Sequence, residues 1–177
     1  MGYSLEQFAD GCHRILTEDP GPEGRKKVCA LVQDVLQDDA FIATHLGDDV
    51  PERKILYEDP KLGFCILAHV HNGAKESQPH DHGPSWAIYG QATKYTDMIE
   101  WERAGGDDKH AELKEVKRYR LNPGHAGIYQ DGKIHSIDYP DRARFIRVTG
   151  TNLDNIQRVR FDLATGQVHQ MTPQQAT

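Results

Sequence analysis

Hydrophobic positions change their spacing once along this chain. Over residues 1–48 they recur in steps of three and four; from about residue 50 they alternate. Leu5, Phe8, Ala9, Cys12, Ile15 and Leu16 share one face of a helix predicted over residues 4–17, and Ser4 and Gln7 have capping-box spacing. Asp19-Pro20-Gly21-Pro22 ends that helix. A second, from about residue 23 to 37, carries the stripe Val28, Leu31, Val32 and Val35. A third, over residues 39–46, stops at Gly47. These stripes need a surface to cover, and the outside of the following β-rich part is the expected one.

The alternating part predicts strands at residues 54–58, 63–70, 86–89, 93–101, 111–121, 126–130, 134–137, 144–149, 157–162 and 167–171. Turn signals separate them, among them Asp59-Pro60, Asn72-Gly73, Asn122-Pro123-Gly124, Asp131-Gly132 and Thr165-Gly166. Many short strands at such spacing indicate an all-β sandwich or barrel. The expected division is a helical segment at 1–48 packed on a β-barrel domain at 49–177, with residues 173–177 frayed.

Composition narrows the class. A chain of 177 residues is long enough for one domain with a sizeable core. Its net charge is −6, with lysine and arginine scattered, which argues against nucleic acid or an anionic membrane as partner. No apolar run approaches the roughly 20 residues of a spanning helix, and the N-terminus lacks a basic-then-apolar signal. Cys12, Cys29 and Cys65 contain no Cys-x-x-Cys pairing, so a reducing cytoplasm is the expected location. Cys12 and Cys29 read as packing residues, and Cys65, between Phe64 and Ile66, as buried and inert.

The candidate chemistry lies in Gln78-Pro79-His80-Asp81-His82-Gly83-Pro84-Ser85-Trp86. On a strand, residues i and i+2 point the same way, so His80 and His82 can grip one metal ion together. His135, 135 − 82 = 53 positions after His82, is a third ligand candidate on another short strand. The plainer alternative is that these are surface side chains in a protein with ten histidines. Within the chain, His69-Val70-His71 is a rival pair, read as a strand end at solvent or the barrel mouth. His125 is a rival third ligand, on a turn.

A β-rich chain with His80-x-His82 on an early strand and His135 some fifty residues later resembles the cupin superfamily. The resemblance implies a double-stranded β-helix, or jelly roll, here with N-terminal helices. The usual first cupin motif continues to a glutamate ligand, but those positions hold Trp86 and Ala87. The branch without that glutamate includes the thiol dioxygenases that act on cysteine and 3-mercaptopropionate, and Pro79-His80-Asp81-His82-Gly83 is similar to their wording. The likeness implies that Arg53 binds the substrate carboxylate. Two features depart from it. Ala87 stands where animal-type enzymes carry a crosslinking cysteine, and Phe145, Arg147 and Thr149 stand where a Ser-His-Tyr relay would fall.

Three neutral imidazoles leave the charge of Fe(II) uncompensated and coordination positions open, which suits an anionic chelating substrate beside dioxygen. The expected activity is therefore oxidation of a small anionic thiol to a sulfinic acid. Alternatives keep the three histidines with Zn, Ni or Mn and diketone cleavage, isomerisation or hydrolysis, or keep the fold as a non-catalytic small-molecule binder. Tyr89 and Tyr129 are candidates to place a hydroxyl over the open positions, against core packing as their ordinary role. Arg147 is a second candidate for the substrate anion, against exposure on an outer strand face. Asp81 is expected to be a structural hydrogen bonder rather than a ligand.

Overall fold

The computed structural model describes residues 2–173, so most of the predicted frayed end, residues 174–177, lies outside the described residues. Helices α1 (Leu5–Glu18), α2 (Pro22–Val35) and α3 (Asp39–His45) come first. The capping box forms: Ser4 Oγ accepts from the Gln7 N–H at 3.1 Å, and Gln7 Oε1 accepts from the Ser4 N–H at 2.9 Å. Pro22 opens α2, where its missing N–H costs nothing. Helix α3 ends without help from Gly47, which is not left-handed; the Leu46 N–H closes on the Ile42 carbonyl at 2.8 Å instead.

The remaining chain forms β1 (Arg53–Glu58), β2 (Cys65–Val70), β3 (Lys75–Glu76), β4 (Ala87–Thr93), β5 (Thr96–Gly106) and β6 (Ala111–Leu121). It continues with β7 (Ala126–Tyr129), β8 (Ile134–Tyr139), β9 (Arg144–Thr149), β10 (Arg158–Phe161) and β11 (Val168–Met171). One antiparallel sheet runs β1-β2-β9-β4-β7, a second runs β3-β8-β5-β6, and β10-β11 form a hairpin. This is the expected double-stranded β-helix with N-terminal helices. The strand predicted over 93–101 is broken where Lys94 takes a left-handed backbone (φ 60°), so β4 ends at Thr93 and β5 begins at Thr96. Strand β3, two residues long, is too short for alternation to reveal.

The five-stranded sheet is covered on both faces. Its outer side chains, Ile66, Ala68, Ile88, Ile146 and Val148, share one core with Phe8, Val28, Val32 and Phe41 of the helices. Gly90 allows that approach, because a Cβ there would stand 2.3 Å from Val32 Cγ1. The inner side chains Ala87, Tyr89 and Phe145 meet Met98, Tyr129, Ile137 and Tyr139 in a second core. Double cover is why β2 is buried throughout and reads as a nearly unbroken apolar run rather than an alternation. All three cysteines are free and buried. Burial pushes the Cys12 and Cys65 thiols up to about 12 and the Cys29 thiol up to about 11, so all stay protonated. Among the described residues, no helix is long and apolar enough to cross a membrane.

Asp59, in the turn between β1 and β2, ties α1 to the sheet. Its carboxylate accepts from the Leu62 N–H at 2.7 Å, the Lys61 N–H at 2.9 Å and the Tyr57 hydroxyl at 3.2 Å, and lies 2.7 Å from His13 Nδ1 of α1. Burial alone would raise this carboxyl, but the hydrogen bonds, led by those from Leu62 and His13, outweigh it and hold it down at about 2. An acid depressed from 3.8 stabilises the fold above that value and loses its effect as pH falls through about 2. Replacement of Asp59 by Asn should therefore cost roughly 2 kcal/mol near neutral pH. The gap to the unsubstituted chain should close in acid, as read from denaturant unfolding across pH.

Candidate metal centre

Two backbone hydrogen bonds bring the first pair of imidazoles together. The His80 N–H donates to the His135 carbonyl and the His135 N–H to the His80 carbonyl, both at 2.9 Å. Residues opposed in this way on antiparallel chains point their side chains to the same face. His135 is the second residue of β8, but His80 does not lie on the strand that its spacing suggested. It makes single bridges, to His135 on one side and to Arg160 on the other. On that second side the Asp81 N–H donates to the Val159 carbonyl at 3.0 Å and the Phe161 N–H to the Pro79 carbonyl at 2.8 Å. The segment is thus stitched between β8 and β10.

It ends at Gly83, whose left-handed backbone (φ 58°) turns the chain. No other residue fits there, since a Cβ would stand 2.4 Å from the Gln157 carbonyl oxygen. The Asp81 carboxylate holds the turn, accepting from the Gly83 N–H at 3.0 Å and the Val159 N–H at 2.9 Å. It is engaged with backbone.

The ligand atoms of His80, His82 and His135 lie within 4.8 Å of one another, and among the described residues no carboxylate or thiol joins the group. His82 Nε2 and His135 Nε2 are 3.2 Å apart. Two nitrogens each about 2.1 Å from one divalent ion sit roughly 3.0–3.4 Å apart between right-angled and tetrahedral geometry, so the spacing fits a shared cation. His80 Nδ1 lies 3.0 Å from the Gln78 carbonyl, to which it donates, leaving Nε2 as a bare lone pair. Nδ1 of His82 and of His135 is buried without a partner among the described residues. Packing orients those rings, with the Tyr129 ring centroid 4.2 Å from that of His135. Burial is the main cause lowering all three imidazoles, His80 to about 4 and the others well below the usual histidine value. The trio is neutral at physiological pH, which is the form that binds metal.

Tyr89, on the inner face of β4, places its hydroxyl 3.1 Å from His82 Nε2 and 3.5 Å from His135 Nε2. Tyr129 packs against His135, but its hydroxyl is engaged with that of Tyr119 at 2.9 Å. Arg147 reaches inward from β9, opposite Tyr89, with its guanidinium carbon 6.0 Å from that ring's centroid. The rival pair is separate from the trio: His69 stacks on Phe145 at 4.6 Å and His71 on Tyr139 at 3.8 Å. His69 is buried at the wall of the barrel mouth. His125 is exposed before β7.

A cavity of about 400 Å³ opens beside His80, with Arg53, Arg147, Arg158 and Arg160 in its wall. Arg53 is hydrogen-bonded to Asp154 at 2.9 Å. Arg158, Arg160 and Asp154 were not anticipated from sequence. The signal that would have drawn attention to the two arginines is their i, i+2 spacing on a predicted strand, which sends both to one face.

No protein-family model matches the chain, and no curated protein matches it. Among solved structures, KdgF from Halomonas sp. aligns over 58% of this chain and 82% of its own, at 18% identity and a TM-score of 0.41. A cupin superfamily protein from Desulfitobacterium hafniense DCB-2 aligns over 56% and 76%, at 13% identity and a TM-score of 0.42. The cupin domain of Schizosaccharomyces pombe Cnp3 aligns over 58% and 67%, at 10% identity and a TM-score of 0.44. These likenesses are distant, and the assignment of the centre rests on its own geometry.

One divalent ion per chain should bind, as read by equilibrium dialysis with Zn(II) and with Fe(II) under anaerobic conditions. Replacing His82 or His135 by Ala should weaken binding by more than about 100-fold, whereas His69→Ala should leave it unchanged. Loss of binding in the His69 variant alone would move the centre to the other pair.

Proposed function

We propose that this chain is a metal-dependent dioxygenase that holds Fe(II) on His80, His82 and His135 and oxidises a small anionic thiol to its sulfinic acid. One observation carries the reading: an all-nitrogen, uncharged ligand set opens beside a cavity walled by arginines. In the reaction a thiolate RS⁻ and O2 give RSO2⁻. Two S–O bonds form, the O–O bond breaks, and sulfur supplies all four electrons, so no outside reductant enters. When bound, Fe(II) supplies a cationic seat for the thiolate and for dioxygen.

The chain's own residues do the rest. Arg147 and Arg158 hold the anionic end of the substrate and orient it toward the histidines. Arg53, closed by Asp154, supports that wall more than it binds. Tyr89 presents a hydroxyl where the ligand nitrogens converge and would donate to an anionic group of the substrate held there. With Ala87, Phe145, Arg147 and Thr149 at the departing positions, neither a Cys–Tyr crosslink nor a Ser-His-Tyr relay operates. A cytoplasmic setting fits the free cysteines.

A second reading retains the centre and changes the metal. The 3.2 Å nitrogen spacing suits Zn, Ni or Mn as well as Fe(II), and these would support isomerisation, hydrolysis or diketone cleavage.

The test is oxygen uptake by Fe(II)-loaded protein given cysteine, 3-mercaptopropionate or cysteamine, with His135→Ala as control. One sulfinate should appear per O2 consumed. Cysteamine, which lacks a carboxylate, should fall behind 3-mercaptopropionate by about tenfold or more in kcat/KM. No uptake above the control with any of these thiols or with mercaptosuccinate removes the thiol assignment, and stoichiometric zinc in the protein as purified supports the second reading.

A further inference from the structure

The charges around the cavity do not balance. Arg53, Lys75, Arg147, Arg158 and Arg160 contribute five cations against the carboxylates of Glu76 and Asp154, an excess of 5 − 2 = +3. Lys75, Glu76 and Arg160 are exposed, so water solvates them. Arg53 and Asp154 close on each other at 2.9 Å. Two guanidiniums remain, Arg147 and Arg158. The Nε of each is buried and has no hydrogen-bond partner among the described residues. Burial and the nearby Arg147 both disfavour the Arg158 cation, and Asp154, which favours it, already gives its Oδ1 to Arg53.

Two half-buried, mutually repelling cations, each with its Nε unpartnered among the described residues, cost stability unless an anion joins them. A singly charged carboxylate neutralises one. We infer that Arg147 and Arg158 together form a seat for a dianion, so that the ligand of this cavity carries two negative charges beyond the atom directed at the histidines. This rests on the reading of the cavity as the substrate site and narrows the substrate to a dicarboxylate or a phosphoryl compound. The planar fork of each guanidinium presents paired N–H groups that match carboxylate and phosphate oxygens alike.

The test needs neither metal nor oxygen. Full-length protein stripped of metal by a chelator is titrated calorimetrically with succinate, inorganic phosphate and propionate, at mildly alkaline pH and constant ionic strength. Succinate or phosphate should bind at least about tenfold more tightly than propionate, the worth of one further charge-assisted hydrogen bond. Whichever of the two binds more tightly identifies a dicarboxylate or a phosphoryl ligand. In Arg147→Gln and in Arg158→Gln the preference should shrink to within about threefold. Equal affinity for propionate and both dianions in the unsubstituted protein overturns the inference without reference to any variant, as does a preference that survives both substitutions. Absence of oxygen uptake with thiols would leave this result standing, and a failed dianion preference would leave the dioxygenase reading standing.

Discussion

The candidate centre depends on a single antiparallel pairing. His80 and His135 exchange both backbone hydrogen bonds at 2.9 Å, and that exchange sends two imidazoles to one face at a distance set by the peptide geometry of the ladder. The third imidazole follows because the same short segment cannot continue as a strand. It is held on its other edge by β10 and then forced to turn at Gly83, where the Gln157 carbonyl leaves no room for a Cβ. Sheet register, more than any side-chain contact, thus builds the ligand set.

Burial then decides the chemistry of that set. In water an imidazole divides its time between charged and neutral forms near pH 6.5; enclosed here, all three are held neutral. With no carboxylate in the group, nothing in the ligand set offsets the charge of a bound cation. The cavity wall adds positive charge rather than removing it. Both features favour an anionic ligand, and His80 links them, since it belongs to the trio and lines the cavity. The inner face of the five-stranded sheet contributes Tyr89 and Arg147, while the outer face is given wholly to the helices. Double cover leaves that sheet little freedom to shift, so the two residues are held on a firm wall.

Much of this was readable in the chain. Local pattern reveals what local forces decide: the Ser4–Gln7 box starts α1, the i, i+3, i+4 stripes place the helices, and alternation with glycine turns locates ten strands within a few residues. The three histidines stood out from the rival pair His69 and His71 because His80 and His82 lie in a segment bounded by Pro79 and Gly83-Pro84, with His135 on a short strand after a turn. Where local pattern misled, a neighbour distant in sequence was responsible. The predicted strand around His80 became two single bridges because β8 and β10 flank it, and Gly47 was not needed because the last turn of α3 closed on itself.

Spacing and propensity in the sequence therefore located most of the elements and an all-β barrel or sandwich, its resemblance to the cupins implied the β-helix, and residue chemistry singled out His80, His82 and His135 as the candidate trio. Only the tertiary structure decided which charges meet. That Asp154 closes on Arg53, that Arg147 and Arg158 share a wall with each Nε unpartnered among the described residues, and that the Tyr89 hydroxyl rather than that of Tyr129 meets the histidines are outcomes of which strands become neighbours. Coulomb and hydrogen-bond terms act over a few ångströms, and residues a hundred positions apart reach that range only when the chain has closed its sheets.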